Sequence, residues 1–588
     1  MLDSPAFLNV EASATGRRWL GPSAEQERLG LAIAQAAGLP EIVGRVLARR
    51  GVAPAEAAAF LAPSLRDLLP DPSRLRDMDT AAARVWRAVR RRERIAVFAD
   101  YDVDGGASAA LLLVWLRGMG LAATLYVPDR IDEGYGPNAP AMARLGAAHD
   151  LIVCVDCGTL SHEPIAAAGT DVVVLDHHLG AETLPPALAV VNPNRQDEDG
   201  SLGHLCAAGV VFLLLVALNR LARAEGTAAP DLLGLLDLVA LATVADVAPL
   251  VGLNRAFVRQ GLRIIAQHGR PGIAALAQSA GASGPATAFS LGFVLGPRIN
   301  AGGRVGAADL GARLLATADP HEAAALAARL ETLNAERRAI EAGVRAAAEA
   351  QAEAQIAARP DGPLVWAAGE GWHPGVVGIV AARLKEAFHR PAVVIGFDGD
   401  AGKGSGRSAN GLDLGAAIHR LAREGLIEKG GGHRMAAGLS LGRAQLEPAM
   451  ARLGELLAAQ APEAAPAPRG LRLDGLVAPA AATPALVAAL DDAGPYGAGA
   501  PAPRVAVAGL RLTGTRRLGD SHLALTLAGT GGGPRLEAIA FRAFEGPLGP
   551  FLVERTGGGL HLAGRLERDD WGGRTRVKLH VEDAAPGG

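Results

Sequence analysis

Three short apolar runs of this sequence end in acidic or imidazole side chains. IAVFA (95–99) runs into Asp100-Tyr101-Asp102-Val103-Asp104-Gly105. LIVCV (151–155) runs into Asp156-Cys157-Gly158-Thr159, and VVVL (172–175) into Asp176-His177-His178. A further carboxylate, Asp246, lies inside the apolar stretch VALATVADVAPL (239–250). Crowded carboxylates repel one another and stay ionised when cations sit among them. Oxygen ligands with an imidazole suit Mn²⁺ or Mg²⁺ better than Zn²⁺. Two such ions about 4 Å apart over a shared carboxylate would form a clamp for phosphoryl transfer. Singly, each element has an ordinary reading: Asp-x-Asp after a strand is often a helix cap, and a buried Asp is often a satisfied acceptor. Their combination at successive strand ends points to a dinuclear centre.

That placement needs a sheet. The apolar runs, with TLYVP (124–128) and AVV (189–191), alternate with helical segments, the pattern of a parallel sheet covered on both faces. In a doubly wound sheet the carboxyl ends of neighbouring strands gather at one edge, where ligands bind. The expected fold class is therefore α/β. Residues 1–90 read as a helical segment packing on the core, 91–320 as the catalytic domain, and 321–360 as a long connecting helix, in which 321–358 contain no Pro and one Gly. Residues 361–460 read as a second, smaller α/β domain ending in the Gly-rich turns GSGRS (404–408) and GGH (431–433). APEAAPAP (461–468) reads as a linker. Five strand-like runs between 504 and 583 then predict a small barrel within 469–588, with an OB-fold as the leading candidate.

Composition narrows the class. The 588 residues are 49% hydrophobic and 20% charged, with a formal charge of −3. This is a multidomain globular chain without a global basic field. Only four cations are Lys (Lys385, Lys403, Lys429, Lys578), the other 54 being Arg. Three cysteines exclude a disulfide framework, and Cys154/Cys157 read as a strand-end pair rather than a redox motif. No apolar run suits a secretory signal, and Cys206–Leu218 is too short to cross a bilayer, so a cytoplasmic protein with a buried helix is expected.

The motifs ADYDVDG (99–105), VDCGT (155–159), LDHH (175–178), TVADVAPL (243–250), GPRINAGGR (296–304), WHPGVVGIVAARL (372–384), GSGRS and GGHRMAAG (431–438) occur in this order. In them the chain resembles the DHH phosphoesterase superfamily and, within it, the RecJ single-strand DNA exonucleases. The resemblance implies a DHH domain, a DHHA1-like domain and an OB-fold nucleic-acid-binding domain. It implies metal ligands at Asp100, Asp102, Asp104, Asp156, His177 and Asp246, with Asp156 bridging. His178 would face the scissile phosphate and Asp176 would orient the His pair. Ser405, Arg407, Ser408 and His433 would bind the backbone near the cut. Arg130 and Arg298, with Asn300 and Arg304, would recognise a terminal 5′-phosphate. Relatives place a His where this chain has Phe98, and often an Asn where it has Cys157.

The activity so implied is hydrolysis of single-stranded DNA from the 5′ end to 5′-mononucleotides, with two Mn²⁺ or Mg²⁺ ions, in DNA repair and recombination. A single-strand-binding protein and a helicase are the implied partners, with no membrane, and the chain is expected to be a monomer. Tyr135, Tyr496 and Trp571 are candidate stacking residues. Rival readings are an oligoribonuclease or cyclic-dinucleotide phosphodiesterase on the same core, a pyrophosphatase, and an inactive DNA-binding scaffold. The length and barrel argue against the first, the second-domain motifs against the pyrophosphatase, and the complete acidic set against the scaffold.

Overall fold

The apolar runs that precede the acidic turns do pair side by side. In this computed structural model, residues 5–130, 132–267, 269–282, 284–460, 470–530, 535–569 and 575–587 are described. The expected linker 461–468 and Trp571 lie outside them. The chain forms two compact units. One comprises Pro70–Asp246 and Gln260–Ala464, the other Met1–Leu69, Val247–Arg259 and Ala465–Gly588.

In the first unit, β1 (Ile95–Ala99), β2 (Ala123–Tyr126), β3 (Leu151–Val155), β4 (Asp171–Leu175) and β5 (Ala189–Val191) form a sheet in the order β2-β1-β3-β4-β5. Every pairing is parallel. All residues of β1 and β3 are buried, which explains why these runs are continuously apolar instead of alternating. Each buried Val, Ile or Phe contributes about 1.5–3 kcal/mol. The order reverses between β1 and β3, so Asp100 and Asp156 leave the sheet at its topological switch point. Helices α1 (Met78–Arg91), α2 (Val103–Gly118) and α3 (Ala207–Ala224) pack with this sheet and one another. Helix α3 is apolar and long enough to cross a membrane by length and composition, yet 72% of it is buried within the protein. Cys154, Cys157 and Cys206 are buried and unbridged.

Helix α4 (Leu236–Ala245) leads to Asp246, and α5 (Gly296–Val305) carries Arg298, Asn300 and Arg304. The connecting helix, α6, runs from Pro320 to Ala358, started by Pro320 at its first turn and by Asp319, which accepts from His321 N at 2.9 Å. The second sheet has the order β9-β10-β8-β7-β6: β6 (Val365–Glu370), β7 (Ala392–Asp398), β8 (Ala401–Arg407), β9 (Lys429–His433) and β10 (Ala436–Gly442). Helix α7 (Pro374–Phe388) packs its Val376, Val380 and Leu384 on one face of β6 and β7.

The second unit contains a closed barrel of β11 (Val505–Leu518), β12 (His522–Gly529), β13 (Leu536–Ala540), β14 (Gly559–Asp569) and β15 (Arg576–Pro586). The order is β11-β12-β13-β15-β14, and β14 closes back on β11. The N-terminal helices Ala24–Ala37 and Glu41–Arg49 share the barrel's core: Ile33, Val43 and Leu47 cluster with Leu510, Leu525 and Leu560. The first 69 residues thus belong with the barrel, and α1 is the part of 1–90 that packs on the catalytic sheet. Their amphipathic faces are explicit in the sequence, but the partner for those faces lies more than 400 residues away. Arg255 is buried in this unit and donates to the carbonyls of Phe60 and Ala493, at 3.0 and 2.9 Å, and to that of Gly494.

Candidate functional site

At the carboxyl edge of the first sheet three overlapping groups of side chains form. Asp100, Asp102 and Asp156 make one, Asp156, His177 and His178 a second, and Asp104, His177 and Asp246 a third. Within each group one ligand atom per residue lies within 4.8 Å of the others. Asp156 and His177 each belong to two groups. His177 Nε2 is 3.3 Å from Asp156 Oδ1 and 3.7 Å from Asp104 Oδ2, and its Nδ1 is 3.9 Å from Asp246 Oδ2.

The backbone aims these groups. Asp102 caps α2, accepting from Asp104 N and Gly105 N at 2.9 and 3.1 Å. Gly105 is required there, because a Cβ would meet the Asp100 carbonyl at 2.4 Å. Both oxygens of Asp104 accept from the first turn of α3, at Ala207 N (2.7 Å) and Ala208 N (2.8 Å), where a helix favours negative charge. Asp156 has φ +60°, a left-handed conformation more readily tolerated by Asp than by β-branched residues.

A supporting layer holds the His pair. Asp176 Oδ1 accepts from His177 N, His178 N and His178 Nδ1 (2.8 Å), and Oδ2 from Thr159 N and Thr159 Oγ1 (2.7 Å). Buried Asn192 donates to Thr159 Oγ1 and the His178 carbonyl, both at 2.8 Å, and Asn194 donates to the His177 carbonyl at 2.6 Å. Burial works to raise the Asp176 pKa, but the bonds from His178 and Thr159 outweigh it and hold it below the ordinary range. Burial likewise opposes charge on His178, yet the Asp176 bond and nearby carboxylates lift it to about 9.

The ligand carboxylates behave oppositely. Burial first, then neighbouring carboxylates, hold Asp100 and Asp156 well above the ordinary range and push Asp246 up to about 8. Asp100 Oδ1 and Asp156 Oδ1 are buried without a hydrogen-bond partner. Buried acceptors normally find partners. Several carboxylates with free lone pairs around one imidazole are the donor set a pair of hard divalent cations takes, so these residues fit such ions.

The other wall comes from α5, α7 and the second sheet. Arg304 donates to the Gly375 carbonyl at 3.1 Å, and a Cβ on Gly375 would strike the Arg304 carbonyl at 2.4 Å, so the start of α7 is seated on the end of α5. Burial, then Arg130, brings Arg304 down to about 10, and the same two causes lower Arg407. The Arg130 guanidinium lies over the Tyr101 ring at 5.0 Å. Arg407 donates to Ser405 Oγ and the Gly406 carbonyl, both at 2.8 Å. His433 is exposed at the end of β9.

Two expected contacts are engaged elsewhere. Ser408 is 1% exposed and its hydroxyl donates to the Leu412 carbonyl at 2.7 Å, so it closes its own turn instead of facing the groove. Arg298 is tied to Glu331 of α6 and to the Val294 carbonyl. Asn300 Oδ1 is buried without a partner.

Comparison with known proteins agrees in the same order along the chain. The DHH family, N-terminal domain, matches residues 94–243; the DHHA1 domain matches 361–459; the RecJ OB domain matches 473–583. The single-stranded-DNA-specific exonuclease RecJ of Salmonella typhimurium is 38% identical over 570 residues, covering 94% of this chain and 96% of the relative. That of Dickeya dadantii is 40% identical over 566 residues, covering 93% and 96%. The chain belongs to the RecJ family.

The crystal structure of RecJ in complex with Mn²⁺ from Thermus thermophilus superposes with a TM-score of 0.78 at 30% identity, over 97% of this chain and 80% of that one. Within this RecJ-family chain, sequence reasoning missed Thr159, Asn192 and Asn194. The stretch VNPN (191–194) follows β5 at the same sheet edge, a position that could have revealed the asparagines. Tyr135 is exposed, and its hydroxyl is 3.3 Å from the Asp156 carbonyl and 3.2 Å from His178 Nε2. Tyr496 is half-buried, donating to the Leu490 carbonyl beneath the Arg50 guanidinium, 4.9 Å from its ring centroid.

Proposed function

We propose that this chain is a metal-dependent exonuclease that degrades single-stranded DNA in the 5′→3′ direction to 5′-mononucleotides. The observation that carries the reading is Asp156. It is buried, shared by two ligand groups and left with an oxygen that accepts no hydrogen bond at the switch point of a parallel sheet. Mn²⁺ or Mg²⁺ would be held by Asp100, Asp102 and Asp156 on one side and by Asp104, Asp156, His177 and Asp246 on the other. Two such ions activate water and neutralise charge on a phosphodiester.

The chain's own groups do the rest. Asp176 fixes His178 through Nδ1, which leaves Nε2 with Tyr135 and presents the ring to a phosphate oxygen. Thr159 and Asn192 keep that pair from rotating. Arg407, Ser405 and His433 take the backbone of the terminal nucleotide, and Arg130, with Arg304 behind it, takes the 5′-phosphate. Arg298 joins them on release from Glu331. The resemblance extends the reading to repair and recombination in the cytoplasm, with the chain a monomer serving a helicase and a single-strand-binding protein.

The test is digestion of a 5′-phosphorylated, 3′-labelled single strand of about 30 nucleotides in Mn²⁺, Mg²⁺ or EDTA, beside a blunt duplex and a short RNA. Metal-dependent shortening of the single strand from its 5′ end is expected. Activity confined to the short RNA would sink the reading.

A further inference from the structure

The open part of the second sheet carries cations that the ligand sites above leave unused. The register sets Lys403 of β8 opposite Ser440 of β10, and Ser440 opposite Lys429 of β9. Two residues along, Ser405 stands opposite Gly438, and Gly438 opposite Gly431. Two further on, Arg407 stands opposite Ala436, and Ala436 opposite His433. Three rows therefore cross the sheet, about 7 Å apart along the strands. The Lys403 and Ser405 rows line a groove of about 690 Å³ that Arg130 and Tyr135 also line. Helix α7 covers β6 and β7 and comes down on Ser405 and Arg407, where a Cβ on Gly378 would meet both side chains at 3.0 Å. The Lys403 and Lys429 side chains are exposed.

Lysine is rare in this chain, four against 54 arginines, yet two of the four flank one serine in one row. Arginine's planar fork clamps a phosphate in two bonds, whereas lysine is a compact charge on a flexible stem that holds phosphate without a fixed geometry. Lysine therefore suits a phosphate group that must come and go. Two acids also line the groove, Asp132 and Glu133. Glu133 is turned toward Tyr126, whose hydroxyl donates to its oxygens at 2.7 and 2.9 Å. Arg130, Lys403 and Lys429 outnumber the two acids.

We propose that Lys403, Ser440 and Lys429 form a second phosphate site, lying beyond the site of the terminal 5′-phosphate. It takes phosphate groups on the 5′ side of the nucleotide being removed. Their source is either the outer phosphates of a 5′-triphosphate end or a released mononucleotide leaving the cleft. This rests on the strand reading above, in which Arg130 takes the terminal phosphate. Because Arg130 lines the same groove, the groove continues past the strand's end rather than along its body.

The test compares wild type, the double variant Lys403→Ala/Lys429→Ala and the double variant Lys403→Arg/Lys429→Arg. Single strands of about 30 nucleotides carry a 5′-monophosphate or a 5′-triphosphate, and dAMP is titrated as a product inhibitor. Expected for the alanine variant is a loss in kcat/KM about tenfold larger on the triphosphate end, a several-fold higher inhibition constant for dAMP, or both; the arginine variant keeps each. A change on the triphosphate end alone assigns the site to the strand's end, and a change in dAMP inhibition alone assigns it to the product. No change in either overturns the proposal. So does a loss that follows strand length and ignores the 5′ end, because the row would then hold the strand's body. Wild-type protein that shortens neither strand would remove the strand reading and the row with it, whereas an active wild type with an unaltered alanine variant removes only the row.

Discussion

The carboxyl edge of the first sheet and the open face of the second treat charge in opposite ways. At the first, Asp104, Asp156 and Asp176 are almost wholly buried, and Asp104 and Asp176 are bonded to backbone N–H groups through both oxygens. At the second, Lys403, Lys429 and His433 stand exposed on a floor rich in glycine. Groups that must meet reacting atoms are placed by the backbone, which moves little. Groups that hold a ligand for one turnover sit on stems that adjust. The shifts differ too: burial drives Asp100 and Asp156 upward, while Asp176, equally buried but bonded to His178 and Thr159, goes down.

If the contrast is sound, substitutions at the first edge cost rate and those on the second face cost binding. Asp156→Asn should lower kcat on single-stranded DNA by about 10³-fold or more while the far-ultraviolet circular dichroism stays native. Retention of a tenth of the activity would break the contrast at its centre. Asp176→Asn should cost roughly 10²–10³-fold in kcat with little change in KM, because His178 loses the acceptor that fixes its ring. A loss confined to KM would move Asp176 into the binding class. Thr159→Val should weaken Mn²⁺ binding by about 10–100-fold in calorimetric titration, with activity recovered at excess metal.

Metal removal has a pH signature. The folded pKa of Asp246, at about 8, exceeds its ordinary value of 3.8, so its contribution to stability is present below that ordinary value. It is lost as pH rises toward about 8. In EDTA the Tm should therefore fall between about pH 5 and about pH 8, and Mn²⁺ should remove most of that slope. An Asp246→Asn protein whose slope in EDTA matches wild type would contradict the assignment. The smallest effect is expected at Ser408. Ser408→Ala should cost about 1 kcal/mol of stability and less than about threefold in kcat/KM. A tenfold loss of activity would return Ser408 to the groove.

The sequence revealed the ligand edge because a doubly wound sheet leaves little freedom: an acidic residue directly after a buried parallel strand has only one edge to occupy. The supporting layer was less visible, since Thr159, Asn192 and Asn194 act through hydrogen bonds whose partners are set by loop paths rather than by spacing. The basic residues were legible only as motif members. Ser408 and Arg407 are neighbours in GSGRS, yet strand alternation sends one side chain inward to Leu412 and the other toward Ser405. The barrel's strands were plain from their alternation, but nothing local could announce that helices at the other end of the chain complete its core.

That shared core also sets the order in which the molecule can be finished during synthesis. Ile33, Val43 and Leu47 leave the ribosome before the catalytic sheet, while Leu510, Leu525 and Leu560, against which they cluster, are made after it. The N-terminal helices must therefore wait with their apolar faces uncovered while the whole catalytic sheet is built behind them. A nascent chain stalled before the barrel would hold a complete set of metal ligands and still expose its opening segment to chaperones and proteases.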